Sequence, residues 1–132
     1  MLFRSVIAII GLLASIVLVS LGGARNRAKD ARIIGDMGQL RSTSEIFNGN
    51  NGTYTGFSAN ADEDILAADI TDQGGTYIIQ INTDGLAYCA TALLNSAHYW
   101  CTDSALHSKD YGTTAPAACV AACVAANTCK CE

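Results

Sequence analysis

The segment that decides the fold is "VIAIIGLLASIVLVSL", residues 6–21, which has no charged side chain and is diluted only by two serines and one glycine. At a rise of about 1.5 Å per residue it forms roughly 24 Å of helix, somewhat less than the roughly 30 Å hydrocarbon core of a bilayer. The small residues 22–24, "GGA", nearly close the difference. The segment therefore predicts a helical membrane anchor of marginal length.

Two other interpretations of this segment remain open. It could be a cleaved signal peptide, with Arg4 as its basic region and a cut near Ala24, because the small residues "LGGA" permit cleavage there. It could also be the buried core helix of a soluble protein, although such helices seldom run this long without a polar face. The sequence that follows favours a retained anchor.

After Ala24 the pattern changes from uniformly apolar to amphipathic without a strong helix stop. Small or apolar residues recur at intervals of three and four through Ala28 and Ile34 to Phe47, with charged side chains mostly between them. We therefore predict one continuous helix that ends near Phe47.

This helix has two parts, an anchor over residues 1–24 and an amphipathic half over residues 25–47. Gly22 and Gly23 predict a bend or a locally melted stretch between them. The whole helix would be roughly 60 Å long. A small domain cannot bury a rod of that length, so the anchor half must find partners elsewhere.

The charges are unevenly distributed along the 132 residues, whose formal net charge is -4. Nine of the twelve acidic residues lie from Asp62 onward. Four of the eight basic residues form a basic collar directly after the apolar run, namely Arg25, Arg27, Lys29 and Arg32. A basic collar suits lipid headgroups, whereas the acidic C-terminal part offers no basic face to phosphates. We therefore exclude a nucleic-acid-binding function.

Six cysteines, all in the last 44 residues, form an even set downstream of a hydrophobic N-terminus. This combination predicts a disulfide framework in an oxidising compartment, outside the cytoplasm. The positive-inside rule, applied to the basic collar, would instead place the same domain in the cytoplasm. The two indications conflict, and we follow the cysteines.

Residues 48–132 are predicted to form the globular head. The Asn- and Gly-rich stretch "NGNNGTYTG", residues 48–56, ends the long helix in a loop. "ANADEDILAADI", residues 59–70, is typical of a short helix with acids at its N-terminus, where the helix dipole favours them. A calcium site at residues 62–64 is a weaker alternative, because these acids lack a regular ligand spacing.

Three strands follow in a predicted antiparallel meander. They are "TYIIQIN" at 76–82, "LAYCATALL" at 86–94 and "AHYWCT" at 97–102, and "TDG" at 83–85 is the first turn. One face of this sheet and one face of the long helix can bury each other. The fold class is therefore α+β, a long N-terminal helix packed on a small antiparallel sheet, with a disulfide-stapled C-terminus.

The spacing of the first two cysteines suggests a disulfide between them. If residues 94–96 form a three-residue hairpin loop, Leu93 faces Ala97 and Cys89 faces Cys101. Directly opposed residues are near the separation that a disulfide needs. A two-residue turn would instead offset the two cysteines by one position.

The other four cysteines, Cys119, Cys123, Cys129 and Cys131, lie in the tail "PAACVAACVAANTCKCE". We predict two disulfides among them, with three pairings open. Zinc coordination by these four thiols is the alternative, but the short two-residue spacings usual in zinc sites are absent.

Catalytic and cofactor motifs are absent from the sequence. His98 and His107 are its only histidines, and no nucleophile context, glycine-rich phosphate loop or CxxCH haem motif occurs. We predict a protein that is not an enzyme and binds no cofactor or metal.

Residues 6–47, "VIAIIGLLASIVLVSLGGARNRAKDARIIGDMGQLRSTSEIF", resemble the N-terminal helix of a type IV pilin or type II secretion pseudopilin. The resemblance lies in the apolar block around "AIIGLLA", the small residues after it and the basic amphipathic continuation. It covers about the first third of the chain, and the rest resembles the family more loosely. It implies a subunit held in the inner membrane by its tail, then packed into a helical fibre with the tails bundled at its centre.

The resemblance departs at the first residues, "MLFRS". Pilins carry a leader ending in glycine and then a Phe-Thr-Leu-Ile-Glu-Leu type sequence, whose glutamate pairs with a neighbour's N-terminal amine. Here Leu2 occupies the place of that glutamate. We expect either an incomplete or altered N-terminus or a subunit that assembles without that ion pair.

The leading functional prediction is a structural subunit of a bacterial type IV pilus-like filament. Its expected partners are membrane lipid and the inner-membrane assembly machinery before assembly, and copies of itself afterwards in an extracellular filament on the cell surface. The residues predicted to pack in the filament core are Val6, Ile7, Ile9, Ile10, Leu12, Leu13, Ile16, Val17, Leu18 and Leu21. A type II secretion pseudopilin and a membrane-tethered extracellular binding module that does not polymerise are the alternatives.

Overall fold

A computed structural model describes residues 2–121, 123–124 and 128–132 of the chain. Met1 of the predicted anchor and residues 122 and 125–127 of the predicted head lie outside the described residues. The elements are α1 (Leu2–Asn51), a 3-10 turn (Phe57–Ala59), α2 (Ala61–Asp72), β1 (Thr76–Ile81), β2 (Tyr88–Leu93), β3 (Tyr99–Asp103), β4 (Ser108–Gly112) and α3 (Ala117–Val120). The strands form one antiparallel sheet in the order β1-β2-β3-β4. The predicted α+β fold is confirmed.

The helix α1 is continuous and longer than predicted. It passes through Gly22 and Gly23 as regular helix and extends beyond Phe47 to Asn51. Gly52 then adopts a φ of 71° and donates its N–H to the Asn48 carbonyl at 2.7 Å. A glycine in the left-handed region is the usual residue just after a helix, so the Asn- and Gly-rich stretch ends the helix at its first unstrained left-handed position.

The second half of α1 packs on the sheet. Ile33, Met37 and Leu40 are fully buried, and their spacing of four and three places them on one side of the helix. They contact Tyr88, Ala90, Ala92 and Leu94 from β2 and the residue after it, together with Phe57 and Ile70. The buried side of the helix differs slightly from the predicted apolar side. Ala28 is exposed, and Ile34 and Phe47 lie half-buried at the margin of the core.

The predicted register between β2 and β3 is wrong by one loop position. The loop is residues 95–97, since Leu94 donates its N–H to the His98 carbonyl at 2.8 Å. Ala97, with a φ of 61°, is the left-handed residue that closes this three-residue loop. Cys101 therefore faces Thr91, and Cys89 faces Asp103.

The cysteine pairing changes with the register. The disulfides are Cys89–Cys119, Cys101–Cys131 and Cys123–Cys129, with Cα separations of 5.2, 5.7 and 5.3 Å. The predicted Cys89–Cys101 bond is wrong, although the two Sγ atoms lie 3.6 Å apart as diagonal neighbours on one face of the sheet. The four tail cysteines do not pair only among themselves, because Cys119 and Cys131 bond to the strands.

The fourth strand, β4, was not predicted. Its sequence "SKDYG" has few residues that favour strands, and its side chains are exposed or half-buried. It forms because β3 offers an unpaired edge, and side-chain contacts reinforce the pairing. Trp100 Nε1 donates to Ser108 Oγ at 3.2 Å, and His98 Nδ1 lies 2.9 Å from an Asp110 carboxylate oxygen.

Asp30 joins α1 to the loop between β2 and β3. Its carboxylate accepts the Asn95 N–H at 2.7 Å, the Asn95 Nδ2 at 3.0 Å and the Ser96 N–H at 3.1 Å. Burial alone raises the pKa of Asp30, but the hydrogen bonds from Asn95 and Ser96 outweigh burial and hold it below its usual value. The carboxylate is therefore bound in its charged form.

Replacing Asp30 by alanine is expected to destabilise the head. The loop N–H groups of Asn95 and Ser96 would lose their acceptor, which costs about 1 to 3 kcal/mol. The measurement is guanidinium unfolding of the full-length chain in detergent, followed by the fluorescence of Trp100, the only tryptophan. The control is Lys29→Ala at the exposed neighbouring position, which should change the unfolding free energy by less than about 0.5 kcal/mol. Equal losses in both variants would contradict the role of Asp30.

Candidate interaction surface

The first half of α1 has no partner within the described chain. Every described residue from Leu2 to Lys29 is exposed. The ten residues predicted to pack in a filament core have exposed fractions between 42% and 70%. Three further apolar residues that were not predicted, Leu2, Phe3 and Val19, are each 83% exposed. By length and composition the helix is apolar enough to cross a membrane.

Within the exposed half, residues 6–21 are apolar around the whole circumference of the helix. A helix of this kind is stable only in apolar surroundings, such as a bilayer or a bundle of similar helices. Its two serines do not interrupt the surface, because Ser15 Oγ donates to the Leu12 carbonyl at 2.7 Å and Ser20 Oγ to the Ile16 carbonyl at 3.0 Å. The polar atoms of these side chains are thus satisfied by the helix itself.

Small residues form a shallow strip on one side of this half. Ala8, Gly11 and Ser15 recur at intervals of three and four, so they lie along the same side of the helix. A Cβ placed on Gly11 would meet no atom within 4 Å. Small residues at such spacing let the backbone of another helix approach closely.

The basic collar is divided by the fold. Arg25, Arg27 and Lys29 are exposed on α1 below the head. Arg32 instead donates from Nε and Nη2 to the Asp69 carboxylate of α2, at 2.7 and 2.9 Å. Three members of the collar therefore remain available to headgroups or to another chain, whereas the fourth joins α1 to α2.

A buried carboxyl group lies next to this ion pair. Asp36 is only 7% exposed, and burial, together with the neighbouring Asp69 carboxylate, raises its pKa to about 6. The hydrogen bonds from Arg32 hold the pKa of Asp69 below its usual value. Of these two carboxyl groups, Asp36 is therefore the one that is protonated in mildly acidic solution.

The two histidines pair with carboxylates of the sheet. His98 Nδ1 lies 2.9 Å from an exposed Asp110 oxygen, and His107 Nδ1 lies 2.8 Å from a buried Asp103 oxygen. Asp103 also accepts the N–H groups of His107 at 3.0 Å and Cys131 at 2.7 Å. Asp103 thereby anchors both the β3–β4 turn and the C-terminal segment, a role that the sequence pattern did not indicate.

The three acidic residues at the start of α2 point to different surroundings. Asn60 caps the helix by accepting the Asp62 N–H at 2.9 Å. Glu63 is 3% exposed, and burial raises its pKa, whereas Asp62 and Asp64 face solvent. The three acids considered as calcium ligands thus lie in different environments and do not form one cluster.

No family model, no curated protein and no solved structure matches this chain. The resemblance of residues 6–47 to the pilin helix therefore stays a prediction from the sequence.

Asp36→Asn is expected to make the head more stable at neutral pH. The pKa of Asp36 is about 6 in the folded chain and about 3.9 in the unfolded chain. The folded chain therefore holds this proton more tightly, and the free energy of unfolding of the wild type falls as the pH rises from about 4 to about 6. The side-chain amide of this variant can still donate to Asp69, and it does not ionise between pH 4 and pH 8. Above pH 6 the variant should be more stable by about 1 to 2 kcal/mol, with little difference at pH 4.

The measurement is the same Trp100 unfolding experiment, repeated from pH 4 to pH 8 for the variant and the wild type. Asp84→Asn, at an exposed turn position, is the matched control and should follow the wild type at every pH. A stability difference for Asp36→Asn that does not change with pH would show that the side chain is not protonated as inferred.

Proposed function

We propose that this chain is a structural subunit of a bacterial type IV pilus-like filament, which assembles through the apolar half of α1. The observation that carries the proposal is the exposure of every described residue from Leu2 to Lys29 beside a well-packed head. The resemblance of residues 6–47 to the pilin helix supports it independently.

The energetics explain why this half-helix needs two successive environments. In water each large aliphatic side chain left unburied costs about 1.5 to 3 kcal/mol relative to burial, so a free monomer is disfavoured. A bilayer removes this cost before assembly. Association of helices then gains little from hydrophobicity and depends on close packing, for which the strip of Ala8, Gly11 and Ser15 is suited.

The head supports a location outside the cytoplasm. Its three disulfides are typical of an oxidising compartment. The helix that could span a membrane supports membrane insertion, and the disulfides support a head outside the cytoplasm. In our proposal the chain starts in the inner membrane and the assembly machinery transfers it to a surface filament. Adhesion, motility, DNA uptake and secretion would all use the same subunit architecture.

The alternative is a membrane-tethered binding module that does not polymerise. The same exposed helix supports it, because one span in a bilayer also covers the apolar half of α1. The two proposals differ in where the chain is recovered. A filament subunit is sheared from cells in long fibres, whereas a tethered module stays in the membrane fraction.

Gly11→Leu is expected to reduce filament yield strongly without preventing membrane insertion. Leucine keeps the segment apolar but fills the strip along which another helix approaches. Filaments sheared from source cells would be counted by electron microscopy with an antibody against the chain, and the membrane fraction would be blotted in parallel. Ile65→Lys, at a head position that is 67% exposed, is the control and should leave both fractions unchanged.

Ile10→Lys provides a second variant. A charge within the span is costly in lipid, so this variant should be lost from filaments and depleted in the membrane. Recovery of the wild-type chain only in membranes, with no labelled fibres, would support the tethered module and overturn the filament proposal.

A further inference from the structure

Two of the three disulfides lie side by side, so that their four sulfur atoms form one compact cluster. We propose that, when its two disulfides are reduced, this four-sulfur cluster binds one Zn²⁺ ion. The cluster consists of Cys89, Cys101, Cys119 and Cys131.

The distances between the sulfur atoms suit a tetrahedral metal ion. All four Sγ atoms lie within 4.8 Å of one another, and two pairs that are not bonded lie close, Cys89 with Cys101 at 3.6 Å and Cys101 with Cys119 at 3.4 Å. Zinc bonds to thiolates of about 2.3 Å in a tetrahedron place the sulfurs about 3.8 Å apart. The two pairs that are not bonded already lie near that distance, and the two bonded pairs would move apart to it once their disulfides are reduced.

The fold holds the four positions without relying on the sulfur bonds alone. Cys89 and Cys101 lie on the same face of two paired strands. The Cys131 N–H is bound by Asp103 at 2.7 Å, and the Cys119 N–H by the Pro116 carbonyl at 2.9 Å. After reduction the hydrogen bond to Asp103 still holds Cys131 beside the sheet, and the bond to Pro116 preserves the local turn that contains Cys119.

The burial of the cluster favours a closed structural site. All four cysteines are fully buried, and they come from β2, β3, α3 and the C-terminal segment. A structural zinc site has four protein ligands and excludes solvent, and its binding free energy is added to folding. The ion would thus join the same elements that the two disulfides join.

The two states are related by a balanced exchange. Reduction of Cys89–Cys119 and Cys101–Cys131 takes four electrons from two equivalents of a dithiol or a phosphine, and it takes four protons from the dithiol or, with a phosphine, from the water that yields the phosphine oxide; the products are four thiols. Zn²⁺ then binds the four thiolates and displaces their protons. A disulfide oxidant reverses the exchange, because it removes the electrons as the two bonds re-form and the ion leaves.

Cys123 and Cys129 are an internal control. They form their own disulfide across a sequence separation of 6 and are not members of the cluster. The proposal therefore predicts that four particular thiols are protected by zinc and that two are not. This pattern differs from the set of four tail cysteines considered from sequence.

The first test maps thiol protection on the full-length chain in detergent. The chain is reduced with a phosphine under argon, incubated with or without Zn²⁺, treated briefly with iodoacetamide and digested for mass spectrometry. Zinc should suppress alkylation of the four cluster cysteines and leave Cys123 and Cys129 reactive. Equal alkylation of all six with and without zinc would overturn the proposal.

The second test uses Co²⁺ as a spectroscopic substitute. The reduced chain should show the visible bands of tetrahedral cobalt thiolate, saturating at one ion per chain and abolished by Zn²⁺. Cys89→Ser and Cys131→Ser should each lose the bands and weaken Zn²⁺ binding by more than the roughly 100-fold cost of losing an outer-shell partner. The Cys123→Ser/Cys129→Ser double variant should keep both.

Two variants from different elements keep the second test informative if one of them does not fold, which Trp100 fluorescence monitors. Bands that persist in both single variants, or that disappear in the double variant, would show that the cluster is not the metal site. Neither test depends on filament formation, so a negative result here leaves the proposed function untouched.

Discussion

The surroundings of helix α1 change at Asp30. Before Asp30 every described residue is exposed, first along the apolar run of residues 6–21 and then along the basic collar, and after it one side is buried under the head. A single unbroken helix connects the two regions, so the orientation of the head is tied to the environment of the first half. The head leaves the first half of α1 uncovered, because its apolar surface already buries Ile33, Met37 and Leu40.

Polar contacts determine how the head sits on this helix. Asp30 binds the loop after β2, and Arg32 binds Asp69 of α2, so two charged residues one half-turn apart hold two different elements. Hydrophobic burial supplies most of the stability but has no directional preference. The part-buried hydrogen bonds of Asp30 do have one, because a shift of the head would break the bonds that Asn95 and Ser96 donate to its carboxylate.

Much of the architecture follows from periodicity in the sequence, and less of the detail does. The spacing of apolar residues predicted the long helix, the short helix and three of the strands. The register of β2 and β3 could not be read in this way, because Leu94 can extend the strand or begin the loop, and the choice depends on Asp30 from a distant part of the chain. The polar strand β4 is likewise stabilised by its neighbour β3 and not by its own residues.

The candidate surface was easier to predict than the contacts within the head. The ten residues predicted to pack in a filament core lie in one apolar run, and such a run needs no tertiary information to be recognised. Val19 belongs to the same run and is equally apolar and exposed. By contrast, the roles of Asp103 and Asp36 depend on which groups the fold brings next to them, which no local pattern encodes.

The two faces of the sheet are stabilised by different physical means. The face towards α1 is covered by large apolar side chains. The opposite face is covered by a short C-terminal segment, and the described core between this face and the segment consists of six cysteines and Ala87. Such a segment offers too little apolar area to be held by burial alone, and covalent links compensate for a small core.

Two of these links span a separation of 30 residues and the third a separation of 6. In the chain-entropy description each long link stabilises by about 1.4 kcal/mol more than the short one, so the bonds from the strands to the terminus contribute most. The second face therefore needs no cover from α1, and the first half of α1 is available for contacts outside the chain.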